Sequence, residues 1–153
     1  MKRSDALAPL SRDHHQVLFV AMKLKRAEDL EPRDAALRLF ASGEINHFEI
    51  EERVLLPAWL AKAPDGGERM ARRVLDEHAA LRSAARRLEG ADVAVADLRE
   101  LGILLERHVR YEERELFPAI ERDLPADDLR AVGEELKLAS RRVAEAQPGA
   151  EPG

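Results

Sequence analysis

Apolar residues recur at three- and four-residue intervals along most of this chain. Leu7, Leu10, Val17, Ala21 and Leu24 form one stripe, and Ala71, Val74, Leu81, Ala85 and Leu88 a second. Leu98, Leu101, Leu105, Leu116 and Ala119 form a third. This is the period of a helix with one buried face. Proline and glycine mark the breaks. Pro32 suits the first position of a helix, Asp65-Gly66-Gly67 reads as a turn, and Leu124-Pro125 separates a last segment. Gly90 is expected to close one helix and Asp92 to cap the next. The pattern predicts helices over about residues 9–29, 32–62, 67–89, 93–122 and 126–146, with a disordered tail at 147–153. Four long helices with short connections imply an all-α, up-down antiparallel four-helix bundle. The additional C-terminal helix, with Leu129, Val132, Leu136 and Val143, is expected to pack across the bundle or to form a dimer contact. Residues 1–146 then form one domain.

Composition agrees and narrows the function. Ala, Leu, Glu and Arg dominate while aromatics are only 4% of residues, which disfavours strands. The chain has no cysteine, so disulfides, thiolate zinc sites, cysteine-ligated iron–sulfur clusters and a cysteine nucleophile are excluded. A net charge of −5 argues against a broad nucleic-acid surface. No apolar run has the roughly 20 residues that span a bilayer, and Met1-Lys2-Arg3 leads into a polar stretch, unlike a signal peptide. The expectation is a cytoplasmic protein without membrane or nucleic-acid partners. There is no glycine-rich phosphate loop to suggest a nucleotide enzyme.

An internal repeat carries the chemistry. His47-Phe48-Glu49-Ile50-Glu51-Glu52-Arg53 leads to Leu56-Pro57-Ala58, and His108-Val109-Arg110-Tyr111-Glu112-Glu113-Arg114 leads to Phe117-Pro118-Ala119, 61 residues later in register. Asp13-His14 resembles Glu77-His78 at an offset of 64. Residues i and i+4 lie on one helix face, about 6 Å apart along the axis. His47 and Glu51 therefore point the same way, as do His108 and Glu112. Their faces also hold the apolar positions: Leu37, Phe40, Val54 and Ala58 with the first pair, Leu98, Leu101, Leu105 and Ala119 with the second. Both glutamates are thus expected to face the core, where a lone carboxylate is costly unless paired or bound to metal. No Lys or Arg interrupts these faces near that level. Two inward carboxylates with one histidine from each of four helices call for cations, and imidazole with carboxylate suits iron, zinc or manganese. On the first helix His14 and His15 are both candidates. The His14 face is the cleaner apolar stripe, because the His15 face includes Ser11 and Lys25. Glu52 and Glu113 turn about 100° from the first glutamates, toward an outer or surface role. Glu44, three residues before His47 on the same face, is a candidate extra ligand or a supporting partner of one.

At these residues the chain resembles the hemerythrin-like, HHE cation-binding domain family, over about residues 7–122. That resemblance implies a non-haem di-iron centre within the bundle. His14 (or His15), His47 and Glu51 would belong mainly to one iron, and His78, His108 and Glu112 mainly to the other. Glu51 and Glu112 would bridge the irons, with a solvent-derived oxo or hydroxo group as a third bridge. The oxygen-carrying members have a further histidine one turn before the third-helix ligand, where this chain has Val74. That leaves one iron with an open position unless Glu44, Glu113 or His15 completes it. Those carriers also place an Asp where Glu113 stands here, so the role of Glu112 rests on its repeat with Glu51. The implied partner is a small diatomic ligand or peroxide: bacterial-type relatives bind or sense oxygen, nitric oxide, peroxide or iron. A di-iron enzyme reducing peroxide or nitric oxide, and a non-redox zinc or manganese bundle, are the alternatives.

Overall fold

The computed structural model of the protein describes residues 2–63 and 66–145, with the side chains of 42–46 and 143–145 outside the description. The expected tail at 147–153, Asp65 and the side chains of Glu44 and Val143 therefore lie outside the described residues. Helix α1 is Ala8–Lys25. The second rod, α2, runs over 33–60 without a break, and α3 is Gly67–Arg87. The fourth, α4, runs over 95–123, and α5 is Ala126–Glu145. No strand occurs among the described residues, and none of these helices is long and apolar enough to cross a membrane.

The direction of each helix follows from which of its ends lies in which apolar cluster. One cluster joins Leu10 of α1, Leu55 and Trp59 of α2, Val74 of α3 and Leu116 and Ile120 of α4. The other joins Val17 and Leu24, then Phe40, then Leu81 and Leu88, then Leu98 and Leu105 of the same four helices. Each cluster takes the start of one helix and the end of the next, so the four run up, down, up, down. The histidines lie on every helix between the two clusters. Helix α5 places Val132 and Leu136 in the first cluster, so it packs across that end of the bundle.

Two chain breaks differ from the sequence reading. Helix α3 closes at Leu88, and Gly90 does not take the left-handed backbone expected of a capping glycine; among the described residues only Gly66, at φ 109°, has positive φ. Gly66 supplies the turn into α3 that an L side chain would strain. Helix α4 begins at Val95, and its exposed start is capped by Asp97, whose carboxylate accepts the Ala94 N–H at 2.9 Å, rather than by Asp92. Helix α1 also ends earlier than expected, at Lys25.

Wide π-helical turns occupy Glu51–Leu55 of α2 and Glu112–Leu116 of α4. The Leu56 N–H bonds the Glu51 carbonyl, and the Phe117 N–H bonds the Glu112 carbonyl, five residues back rather than four. Pro57 and Pro118 explain them. A proline has no N–H and its ring crowds the carbonyl four residues earlier, so the preceding turn opens. A wide turn also advances the buried face by one residue. This corrects the expected α2 stripe: Leu55, Leu56 and Trp59 are buried, while Val54 and Ala58 are only partly so. A third wide turn, Leu39–Glu44, precedes His47 and has no counterpart in α4.

Candidate metal centre

Six polar side chains fill the middle of the bundle. His14, His47, Glu51, His78, His108 and Glu112 are each no more than 3% exposed. All four imidazoles aim Nε2 inward at the two carboxylates. The Nε2 of His47 lies 3.3 Å from Glu51 Oε2, and that of His78 lies 3.2 Å from Glu51 Oε1. Glu112 is shared in the same manner. Its Oε1 is 2.9 Å from His14 Nε2 and 3.8 Å from that of His47, while its Oε2 is 3.3 Å from His108 and 3.8 Å from His78. Each carboxylate thus offers one oxygen to each histidine pair. Two overlapping sets result, His14–His47–Glu51–Glu112 and Glu51–His78–His108–Glu112, with ligand atoms all within 4.8 Å of one another in each.

The outward nitrogens are held by a second ring of acids. The Nδ1 atoms of His14, His78 and His108 lie 2.8, 2.7 and 2.8 Å from Glu113, Glu52 and Glu77. His47 Nδ1 lies 3.3 Å from Asp13. A carboxylate only accepts, so each Nδ1 donates, and in the neutral imidazole the Nε2 lone pair points inward, as a metal ligand requires. Three of these acids are fixed by further groups. Arg82 grips Glu52 with both terminal nitrogens, at 2.9 and 3.2 Å, and Arg73 holds Glu77 at 2.9 Å. The Ser11 hydroxyl donates to Glu113 at 2.7 Å, with Arg3 3.4 Å away. Asp13 is the exception: its side chain is 60% exposed, against 22–29% for the other three. Two rings wall the site. Phe48 stacks on His78 at 4.0 Å between centroids, and Phe117 stacks on His14 at 5.5 Å.

Without metal this arrangement stores protons. Burial alone would lower the histidine values, but the carboxylates outweigh it. Glu112 and Glu113 raise His14 to about 9, Glu112 and Glu51 raise His78 to about 9, and Glu112 with Glu77 and Glu51 raises His108 to about 10. His47 is also held well above the ordinary imidazole value, against burial, chiefly by Glu51, Asp13 and Glu112. Glu112 lies well below the usual carboxylate range: burial opposes this, and His108, His14 and His47 overcome it. Even so, six buried atoms in the centre have no hydrogen-bond partner: Nε2 of His47, His78 and His108, both Glu51 oxygens and Glu112 Oε2. Buried polar atoms are rarely left so. Clustered at one point, four imidazole and four carboxylate donor atoms fit two cations side by side, of the type that takes mixed nitrogen and oxygen ligands.

The structure brings together His14, His47, Glu51, His78, His108 and Glu112. His15 is exposed and outside both sets; it lines a surface groove with Phe19 and Arg38. Glu113 faces the outer nitrogen of His14 and not the centre, and Val74 is fully buried in the apolar cluster below. Tyr111 is half-buried, its ring 3.7 Å from the Arg73 guanidinium, a packing role. Nothing on their own helices gives Asp13 and Glu77 a task. Their positions before His14 and His78 in the weaker repeat were the available signal. Each supports the histidine of a neighbouring helix, so only the tertiary structure reveals the task.

The chain matches no curated protein and no solved structure. Residues 7–120 match the family described as the hemerythrin HHE cation binding domain, a span that contains all six inward side chains and the four outer acids. With helices, repeat and buried donors in agreement, the chain belongs to the hemerythrin HHE cation-binding domain family.

Proposed function

We propose that this protein holds a pair of non-haem irons and uses them, in the cytoplasm, to bind or sense a small ligand: oxygen, nitric oxide, peroxide or iron itself. The observation that carries this reading is the double sharing of Glu51 and Glu112 between the two histidine pairs, around six buried atoms with no partner. A single cation would leave half of that donor set unused. A bound ferrous pair would supply two one-electron reductants and an open position for a diatomic or peroxide ligand.

The chain's own residues supply the rest. His14, His47, His78 and His108 present neutral Nε2 donors because Glu113, Asp13, Glu52 and Glu77 hold their Nδ1 protons. Glu51 and Glu112 offset the cationic charge within an apolar interior. Phe48, Phe117 and the leucines above and below exclude water. Val74, an apolar side chain one turn before His78, adds no donor there, which supports ligand binding at a vacant position. Elemental analysis of unchelated protein tests the proposal. Two irons per chain are expected, with the visible absorption of an oxo-bridged ferric pair after oxidation. Glu51→Ala with Glu112→Ala should abolish two-metal binding at unchanged helicity. Protein free of transition metal that ferrous salt does not reconstitute would refute the proposal, and stoichiometric zinc or manganese would replace it with a non-redox centre.

A further inference from the structure

A cleft of about 700 Å³ opens between α3 and α4. Its α4 wall carries Arg107, Arg110, Tyr111 and Arg114, at the spacing that puts side chains on one helix face. Arg73 and Glu77 face them from α3, and Ala80 and Leu104 give it apolar surface. Four arginines stand here against two glutamates, Glu77 and Glu115, leaving a local positive excess in a chain of net charge −5. Arg73 is committed to Glu77 and the Tyr111 ring, and Arg110 lies 3.4 Å from Glu106. Arg107 and Arg114 are exposed and make no hydrogen bond or ion pair with the described residues. Seven residues of helix set them about 10 Å apart, within reach of one ligand given the length of their side chains.

We propose that this cleft binds a small organic anion, one bearing phosphate or carboxylate groups, held by Arg107 and Arg114 with its apolar part on Leu104 and Ala80. The planar guanidinium matches both kinds of anion with paired N–H donors. The volume is that of ordinary small-molecule sites. The cleft touches the centre only through Glu77, the acid behind His108, and contains none of the six inward side chains, so Arg107 and Arg114 act without regard to which cation the centre holds.

Isothermal titration of the full-length protein with inorganic phosphate and, separately, with succinate tests it, at ionic strength fixed with sodium chloride. Saturable one-site binding of at least one probe is expected, and the stronger identifies the anion type. Arg107→Gln with Arg114→Gln should weaken that affinity about tenfold or more at unchanged far-ultraviolet helicity. Should the double variant lose helicity, each single substitution is expected to weaken binding several-fold. Arg130→Gln, at an exposed arginine of α5, should change nothing. Failure of both probes to saturate, or equal binding by the double variant and the parent, overturns the proposal. An equal loss in Arg130→Gln does the same.

Discussion

Replacing Glu112 with Gln keeps the shape of the central side chain and removes its charge. In the metal-free protein that charge faces all four histidines, at 2.9 Å from His14, 3.3 Å from His108 and 3.8 Å from both His47 and His78. Removing one partner of a buried ion pair costs about 3–5 kcal/mol. A domain of this length loses about 2–4 °C of melting temperature per kcal/mol, so chelated Glu112→Gln should melt about 6–20 °C below the parent near pH 7. The pH dependence has a definite sign. His14 and His78 titrate at about 9 and His108 at about 10 when folded, above the ordinary imidazole value of 6.5. Their contribution is fully present below that ordinary value and is lost as pH rises through about 9–10. The chelated parent should therefore lose stability across that interval, and the gap to Glu112→Gln should narrow. Metal binding has the opposite trend, because cations compete with those protons, so affinity should rise over the same interval. Thermal unfolding followed by circular dichroism near pH 7 and near pH 10 reads both. If Glu112→Gln melted with the parent near pH 7, or kept the same gap near pH 10, the charge arrangement described for the centre would be wrong.

Other expectations follow from the same geometry. His14→Ala should cut metal loading sharply by elemental analysis while His15→Ala leaves it unchanged, since only His14 reaches Glu112. Glu77→Gln should lower metal affinity in a chelator competition by roughly 10–100-fold, the usual cost of losing the acid behind a ligand histidine. Asp13→Asn should cost less, because Asp13 is exposed and 3.3 Å from His47. Gly102→Ala should destabilise the chain by about 2 kcal/mol in denaturant unfolding. Its Cβ would lie 2.8 Å from the Ala21 carbonyl oxygen and the Lys25 nitrogen, backbone atoms of α1 that cannot step aside, which outweighs the helix preference of alanine.

The sequence by itself determined the helices, because a three-and-four apolar period has one physical meaning when propensities agree with it. It also determined which donor groups gather inside, because two carboxylates in register on apolar faces, each one turn after a histidine, have few reasons to be there. Tertiary structure decided the rest. His14 and His15 differ by only about 100° of rotation, and which one enters the core depends on how α1 rolls against α4, where Gly102 lets the two backbones approach. The inward face beyond Glu51 fell on Leu55 and Trp59 instead of Val54 and Ala58 because a wide turn ahead of Pro57 breaks the period on which a sequence reading relies. Asp13 and Glu77 could not be assigned from their own helices, since each acts on the histidine of a different one. A repeating pattern fixes which kinds of residue a helix turns inward; which individual residue enters the core, and which nitrogen meets which carboxylate, is fixed only when four helices settle their rotations together.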